Sequence, residues 1–199
     1  MARLILASSS PYRSELLGRL GLAFEIRAPG IDESRRPGED ALLVAQRLAR
    51  EKAGAVAAQI HGTEGLIVAA DQAAALDATM LGKPGGFEAA LEQLLACQGR
   101  EVLFHTAVTV RDEPSGRQRH GVDTTKVRFS THSPQQLSRY LELEQPFDCA
   151  GGFKAEGLGI TLFDAIETRD PSGLLGLPLI WLSQVLREFG FDPLDARSR

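Results

Sequence analysis

The sequence contains few cysteines and no long apolar run. Its 199 residues include only two cysteines, Cys97 and Cys149, and these do not form a C-x-x-C pair. We therefore expect neither a disulfide framework nor a zinc site. The low number of cysteines also indicates a reducing compartment. No apolar run is long enough to cross a bilayer, and the first residues do not resemble a signal peptide. A cytoplasmic protein that does not bind membranes is expected. The histidines show no metal-ligand spacing: His61, His105, His120 and His132.

An excess of basic residues is also absent. The chain has 22 Lys and Arg against 26 Asp and Glu, which gives a net charge of −4 and a pI near 5.6. This balance argues against a nucleic-acid-binding protein but allows a local basic pocket for a small polyanion. With 43% hydrophobic residues, the chain can bury the core of a single domain, residues 1–199, with or without a small subdomain.

The two common phosphate-binding fingerprints are missing too. The sequence has no G-x-x-x-x-G-K-[ST], and no G-x-G-x-x-G follows the first apolar run. A serine-rich turn stands there instead. The run Leu4–Ala7 predicts a buried strand, Ser10 is placed to cap the next helix, and Pro11 suits its first position. Backbone N–H groups, hydroxyls and the positive end of a helix at such a turn suit phosphate.

Arg13 lies in the first turn of that predicted helix. A cation is unfavourable at this position unless an anion is near. Taken alone, Arg13 is interpreted as a solvated surface arginine. Beside the hydroxyls of Ser8 and Ser10, its guanidinium completes a set of donors that resembles a phosphate cradle.

Continuous apolar strands alternate with helices along the chain. This pattern predicts an α/β fold with a mixed, mostly parallel central sheet flanked by helices. We expect strands at Leu66–Ala70, Glu101–Val110, Val122–Phe129 and Ile160–Phe163. A sheet of this kind binds ligands in a crevice at the carboxyl ends of its strands. The serine turn and Asp71 each follow a predicted strand, so we expect both at that edge.

Two lysines are further candidates for binding phosphate. Lys52 is predicted on a helix, four residues from both Leu48 and Val56, and so shares their apolar face. Its ammonium either reaches water along that face or enters a cleft that binds phosphate. Lys83 lies in the tight loop Leu81–Pro84, where glycine permits close approach of a ligand. The alternative for Lys83 is an ordinary surface turn.

Three acids complete the set of candidates. Asp71 is interpreted either as an N-cap of the following segment or as a catalytic group. Asp32 and Glu33 form an acidic pair in a loop, which either holds a hard metal ion or is simply solvated. Together with the hydroxyls and cations, these acids form the inventory for a metal-bound polyphosphate. Cations and N–H groups suit the phosphates, carboxylates suit Mg²⁺, and one carboxylate can activate a water.

Short motifs occur at intervals along nearly the whole chain. They are Leu6-Ala-Ser-Ser-Ser-Pro-Tyr-Arg13, Asp32-Glu33, Glu51-Lys-Ala53, Ala70-Asp-Gln72, Gly82-Lys-Pro84, Cys149-Ala-Gly-Gly-Phe-Lys-Ala-Glu-Gly157, Gly159-Ile160 and Asp170-Pro…Gly176-Leu-Pro178. In this order they resemble the Maf family of nucleoside triphosphate pyrophosphatases. The resemblance implies an α/β fold of two lobes with a cleft (Maf/ITPase-like). It also implies hydrolysis of a nucleoside triphosphate to the monophosphate and diphosphate, a divalent metal cation (Mg²⁺ or Mn²⁺), and often a homodimer.

The resemblance further implies roles for individual residues. Asp71 matches the family's proton acceptor and lies on the metal side, and Glu33 matches its acidic, metal-side position. On this analogy the positive helix start tolerates a cation because a triphosphate binds there. The positions that match the family's phosphate-side residues are Ser8, Ser10, Arg13, Lys52 and Lys83.

Three positions resemble the 7-methyl-GTP pyrophosphatase subfamily: Tyr12, Gln72 and Glu156. Family members that act on dTTP and UTP usually have Thr, Gln and a basic residue at the positions of Gln72, Glu156 and Tyr12, respectively. The leading hypothesis is therefore an enzyme that hydrolyses 7-methyl-GTP between its α and β phosphates. The alternatives are a dTTP or UTP pyrophosphatase of the same family, and a nucleotide-binding regulator of division or septum formation.

Overall fold

The computed structural model describes residues 3–60, 63–113 and 115–195, and His61 lies outside them. Short 3₁₀ segments follow the fourth helix. The elements in chain order are β1 (Arg3–Ala7), α1 (Pro11–Gly18), β2 (Glu25–Arg27), α2 (Ala41–Gln59), β3 (Gly65–Leu76), β4 (Thr79–Leu81), α3 (Phe87–Cys97), β5 (Glu101–Glu113), β6 (Gln118–Phe129), α4 (Pro134–Glu144), β7 (Phe163–Glu167) and α5 (Leu179–Glu188).

The strands form a mixed sheet in the order β2-β1-β3-β5-β6-β7, with β4 paired to β3. Strand β1 is parallel to both β2 and β3, whereas β4 is antiparallel to β3 and β7 is antiparallel to β6. Helices are interspersed among these strands, so the predicted α/β class with a mixed sheet is confirmed. Within the described ranges, no helix is both long and apolar enough to cross a membrane.

The chain divides into two compact units. The first comprises residues 1–71, 106–123 and 170–199, and the second comprises residues 72–105 and 124–169. Strands β3, β5 and β6 each contribute residues to both units. Strand β3 passes from the first unit to the second between Asp71 and Gln72.

The core of the first unit lies on both faces of β1 and β3. Along a strand, successive side chains point to opposite faces. Val68 and Ala70 accordingly pack with leucines of α1 and α5, whereas Ile67 and Ala69 pack with residues of α2. Asp71 continues this alternation, so its side chain lies on the face that α2 covers.

An aromatic cluster forms part of the core of the second unit. Its rings meet edge to face, with centroids 4.9 to 5.5 Å apart, a geometry that aromatic quadrupoles favour. Phe153 contacts all three other rings. It comes from the glycine-rich segment, which this packing therefore holds against the sheet. The four rings are Phe104, Phe129, Phe153 and Phe163.

Strand β3 is longer than predicted. The expected strand end at Asp71 is wrong, because the strand continues to Leu76. Its last three residues, Ala74–Leu76, pair with β4 across a tight turn in which Asp77 has a φ of 51°. The polar pair Asp71-Gln72 therefore interrupts the run of apolar residues in β3 but not the strand itself. Since Asp71 lies within a strand, it does not cap a helix.

The strand expected at Ile160–Phe163 is also misplaced. Residues Leu158–Leu162 form a 3₁₀ turn, in which the Ile160 N–H donates to the Gly157 carbonyl at 3.3 Å. Pairing with β6 begins only at Phe163, which lies opposite Phe129. Strands β5 and β6 both extend further into their hairpin than predicted, to Glu113 and from Gln118.

Candidate active site

Lys52 binds two carboxylates in the first unit. Its Nζ lies 2.6 Å from Asp71 Oδ1 and 2.9 Å from Glu33 Oε1. The side chains of Lys52 and Asp71 are only 5% and 8% exposed. The ammonium therefore does not reach water along the apolar face of the helix, and the first of the two alternatives for Lys52 is wrong.

The position of Lys52 follows from the way α2 packs. Asp40 caps this helix by accepting the Leu43 N–H at 2.8 Å. Leu48 and Val56, one turn before and one turn after Lys52, are both buried. Because this buried side of α2 packs on the sheet face that carries Asp71, the lysine stem is carried to the carboxylate.

Burial raises the pKa of Asp71 above its ordinary value. Loss of hydration is the largest cause, the cations Lys52 and Arg13 oppose it, and the negative charge of Glu33 adds to it. A carboxylate with a raised pKa is a stronger base than a solvated aspartate. Such a group is suited to accept a proton from a water molecule near neutral pH.

Arg13 is tethered rather than freely solvated. Its Nε donates to the Gly176 carbonyl at 3.1 Å, and burial lowers the pKa of its guanidinium, although Asp71 and Glu33 oppose this. Within the part of the chain that the structure describes, its two terminal nitrogens donate to no acceptor. Arg13 therefore has hydrogen-bond donors available to an anion.

The carbonyl that holds Arg13 belongs to a fixed turn. Gly176 has a φ of 111°, a conformation that side chains disfavour. Upstream, the buried Asp170 accepts the N–H and the hydroxyl of Ser172 at 3.1 and 2.5 Å, and the Ile180 N–H of α5 at 2.6 Å. The segment thus links the start of α5 to the guanidinium. The sequence placed Gly176 in one of the short motifs but did not reveal its contact with Arg13, because a backbone acceptor leaves no side-chain signal.

The serine turn forms as predicted but uses its N–H groups differently. Ser10 caps α1 by accepting the Arg13 N–H at 3.4 Å, and the buried Ser8 hydroxyl accepts the Ser10 N–H at 3.1 Å. Two N–H groups expected to be free are therefore occupied. Each hydroxyl acts as an acceptor in these bonds, so its own hydrogen remains available to donate to a phosphate oxygen.

The two acids of the pair Asp32-Glu33 make different contacts. Asp32 Oδ1 accepts the N–H and the hydroxyl of Ser34 at 2.9 and 2.6 Å, and these bonds lower the pKa of Asp32. Of these two acids, Glu33 is the one that contacts Lys52, at 2.9 Å. Among the described residues, no group of three or more His, Cys, Asp or Glu is arranged to hold a metal ion. Glu33 and Asp71 still fit Mg²⁺ in a nucleotide complex, since that ion commonly takes one or two carboxylates together with phosphate oxygens.

The remaining candidates lie elsewhere. Tyr12 lies half-buried on α1 of the first unit, whereas Gln72, Lys83 and Glu156 belong to the second unit. There, Lys83 and Glu156 are exposed and Gln72 is half-buried in β3. The Gly151 N–H donates to the Gly82 carbonyl at 3.3 Å, so the loop that carries Lys83 contacts the glycine-rich segment that carries Glu156.

The glycine-rich segment is held by backbone contacts. Gly151 and Gly152 have φ values of 79° and 73°, so this bend favours glycine at both positions. After the bend, the Lys154 N–H donates to the Tyr140 hydroxyl at 3.1 Å. Burial raises the pKa of the nearby Cys149 thiol to about 11, so this cysteine is a thiol at neutral pH and a poor nucleophile.

Fold and site together define an α/β protein in which Lys52 binds two carboxylates. Arg13, next to the serine turn, interacts electrostatically with both of these carboxylates. The chain matches the model of the Maf family, described as Maf-like protein, over residues 3–189. It therefore belongs to the Maf-like protein family, and the resemblance drawn from its motifs is confirmed.

Several curated proteins are similar to this chain over nearly the full length of both. A Xanthomonas oryzae protein named 7-methyl-GTP pyrophosphatase is 49% identical over 96% of this chain and 98% of its own. Proteins of the same name from Burkholderia lata and Pseudomonas syringae are 48% identical (99% of this chain, 94% of theirs) and 50% identical (96% and 98%). Among solved structures, the Ham1 protein of Staphylococcus aureus aligns with a TM-score of 0.46 at 16% identity, over 64% of this chain and 72% of its own.

Proposed function

We propose that this protein hydrolyses 7-methyl-GTP to 7-methyl-GMP and diphosphate. One observation carries the proposal: the buried lysine of α2 binds the carboxylates of Asp71 and Glu33, with the guanidinium of Arg13 in the same electrostatic cluster. The relatives named 7-methyl-GTP pyrophosphatase, at about half identity over nearly the whole chain, support the choice of substrate.

In the proposed reaction, water attacks the α phosphorus and the bond to the α–β bridging oxygen breaks. The water gives up a proton, for which Asp71 is the proposed acceptor, and diphosphate leaves with the bond's electron pair. The raised pKa of Asp71 suits this task. Lys52 and Arg13 are proposed to neutralise charge on the phosphates, and Ser8 and Ser10 to donate hydroxyl hydrogens to them.

A phosphate must compete for Lys52. In the structure the ammonium is bound to Asp71 at 2.6 Å, which ties up one lone-pair site of the proposed base. A triphosphate offers stronger negative charge, so Lys52 is expected to turn from Asp71 towards a phosphate oxygen. This exchange would free the carboxylate to accept a proton from the water.

The family resemblance implies a divalent cation, for which Glu33 and Asp71 are the proposed protein ligands. Such an ion, when bound, supplies positive charge that stabilises the transition state. The role of this chain's residues is to present two carboxylates beside the phosphate-binding cations.

Three residues of the second unit take their proposed roles from the resemblance. Lys83 is proposed to bind phosphate, and Gln72 and Glu156 to select the base, together with Tyr12 of the first unit. A carboxylate can accept from both the N1–H and the N2 amino group of guanine, whereas an amide has only one acceptor oxygen. Methylation at N7 makes the purine cationic, which favours a nearby carboxylate and an aromatic face.

The test is product analysis with purified protein and four triphosphates. Hydrolysis of 7-methyl-GTP with release of diphosphate, faster in kcat/KM than that of GTP, dTTP and UTP, is the expected result. A preference for dTTP or UTP would overturn the substrate assignment while keeping the reaction. Tight nucleotide binding without turnover would instead favour the regulator hypothesis.

A further inference from the structure

One arginine ties the loop that carries Glu33 to helix α2. The Arg47 side chain is only 12% exposed and makes four hydrogen bonds. Its Nε and Nη2 donate to the two carboxylate oxygens of Glu39 at 2.5 and 2.8 Å, and its Nη1 donates to Glu51 at 3.0 Å. The fourth bond runs from Nη2 to the Ser34 carbonyl at 3.0 Å. We call Arg47 and these acceptors the loop clamp.

The bond to Ser34 is the informative one, because Ser34 directly follows Glu33. The Glu33 side chain is 52% exposed, yet its carboxylate lies 2.9 Å from Lys52. An exposed glutamate on a free loop would lose both backbone and side-chain entropy on binding there. A fixed carbonyl at Ser34 and the turn between Asp32 and Ser34 remove much of the backbone part of that cost.

The far end of the same loop segment is held as well. The hydrogen bond from the Arg47 guanidinium lowers the pKa of Glu39 to about 2, so this pair is charged at neutral pH. Glu39 also accepts the Arg36 N–H at 2.8 Å. Residues 34 to 39 are therefore tied at both ends to one side chain of α2, the helix that carries Lys52.

We infer that Arg47 is a positioning residue, which fixes the peptide after Glu33 and so holds the Glu33 carboxylate on Lys52. In the described part of the chain, Arg47 has no hydrogen bond or ion pair with Lys52 or Asp71, so it acts through the loop. The consequence for catalysis rests on the proposed function, because there Glu33 is a metal-side acid. The positioning itself does not depend on any activity.

Amide hydrogen exchange on the ligand-free protein tests the positioning directly. Arg47→Met keeps most of the stem and removes every donor, so exchange across residues 33–39 should accelerate by about tenfold or more, the factor typical for losing even one hydrogen bond to a charged group. Arg36→Met is the matched control, since Arg36 also pairs with Glu51 but its side chain is 61% exposed. Exchange in this control should stay close to that of the parent.

Arg47→Lys retains the charge without the forked donors and should restore part of the protection. Unchanged exchange in Arg47→Met would overturn the inference. So would equal acceleration in Arg36→Met, because the effect would then belong to loop charge in general. Exchange that rises throughout the protein would assign Arg47 to global stability instead.

Kinetics test whether Arg47 acts through Glu33. If it does, Arg47→Met and Glu33→Gln each lower kcat/KM, and the double variant loses about as much as Glu33→Gln alone. If the losses in kcat/KM of the two single variants multiply in the double variant, Arg47 does not act through Glu33. If the parent hydrolyses no triphosphate, the proposed function fails. The hydrogen-exchange result still tests whether Arg47 fixes the loop that carries Glu33.

Discussion

Lys52 Nζ lies 2.6 Å from the Asp71 carboxylate, and both side chains are more than nine-tenths buried. A buried ion pair stabilises little by itself, because both charges have lost their hydration. Removing one partner is costly, since it leaves the other buried without a counter-charge. Substitutions at this pair are therefore expected to change stability as well as the proposed catalysis.

Replacing Asp71 with Asn should abolish most turnover while keeping the shape of the side chain. A positioned general base typically contributes about 10²- to 10⁴-fold in rate, so kcat for triphosphate hydrolysis should fall by that order. Thermal unfolding of the variant provides the control for folding. Near-normal kcat would show that another group accepts the proton.

Replacing Lys52 with Met should lower both stability and activity. Breaking a buried ion pair typically costs about 3–5 kcal/mol, although here a proton on Asp71 would relieve part of the penalty at low pH. Urea unfolding at pH 5 and pH 8 should show the larger loss at pH 8. An equal loss at both pH values would contradict the ionic explanation.

Lys83→Ala provides a contrast to Lys52→Met. Lys83 is exposed, and among the described residues it has no ion pair. Its replacement should therefore change the free energy of unfolding by less than about 0.5 kcal/mol. Hydrolysis of triphosphates should nevertheless weaken if the lysine binds phosphate. Kinetics identical to those of the parent would show that the loop of Lys83 is an ordinary surface turn.

The raised pKa of Asp71 predicts a specific pH dependence of stability. The folded protein retains a proton on this carboxyl at pH values where the unfolded chain, with a pKa of about 3.9, has lost it. The stabilising contribution is thus complete below the unfolded pKa and is lost as pH rises through the folded pKa. Carboxyl ¹³C NMR of the ligand-free protein, assigned with Asp71→Asn, should show a midpoint above that of an ordinary aspartate. A midpoint at or below the ordinary value would contradict the effect of burial.

Glu156→Gln should change base selection more than chemistry. The amide can accept from only one of the two guanine donors, so the preference for 7-methyl-GTP over UTP and dTTP should narrow or reverse. The ratio of kcat/KM values for the four triphosphates, in parent and variant, measures this. An unchanged ranking would remove Glu156 from the specificity argument.

The sequence was most informative where side-chain patterns determine structure. Alternating apolar segments predicted the α/β class, and the position of Lys52 on a buried helix face identified it as unusual. Hydropathy failed at Asp71, because a polar pair inside a strand looks like a strand end until the β3–β4 hairpin is known. It also could not reveal Arg47, which resembles any arginine on an amphipathic helix until the loop folds onto it. Contacts made to backbone carbonyls, such as that of Gly176, depend on chain paths that no local pattern encodes.

The interleaving of the two units has a consequence for synthesis on the ribosome. The first unit consists of residues 1–71, 106–123 and 170–199, so it is assembled from three segments that are separated along the chain. Lys52 and Asp71 are translated before both later segments, whereas the Gly176 carbonyl that tethers Arg13 lies in the third of the three segments. The nascent chain must therefore carry Arg13, Lys52 and Asp71 without this tether until the third segment has been made. A chain truncated before Asp170 lacks that tether, although every proposed catalytic side chain is present.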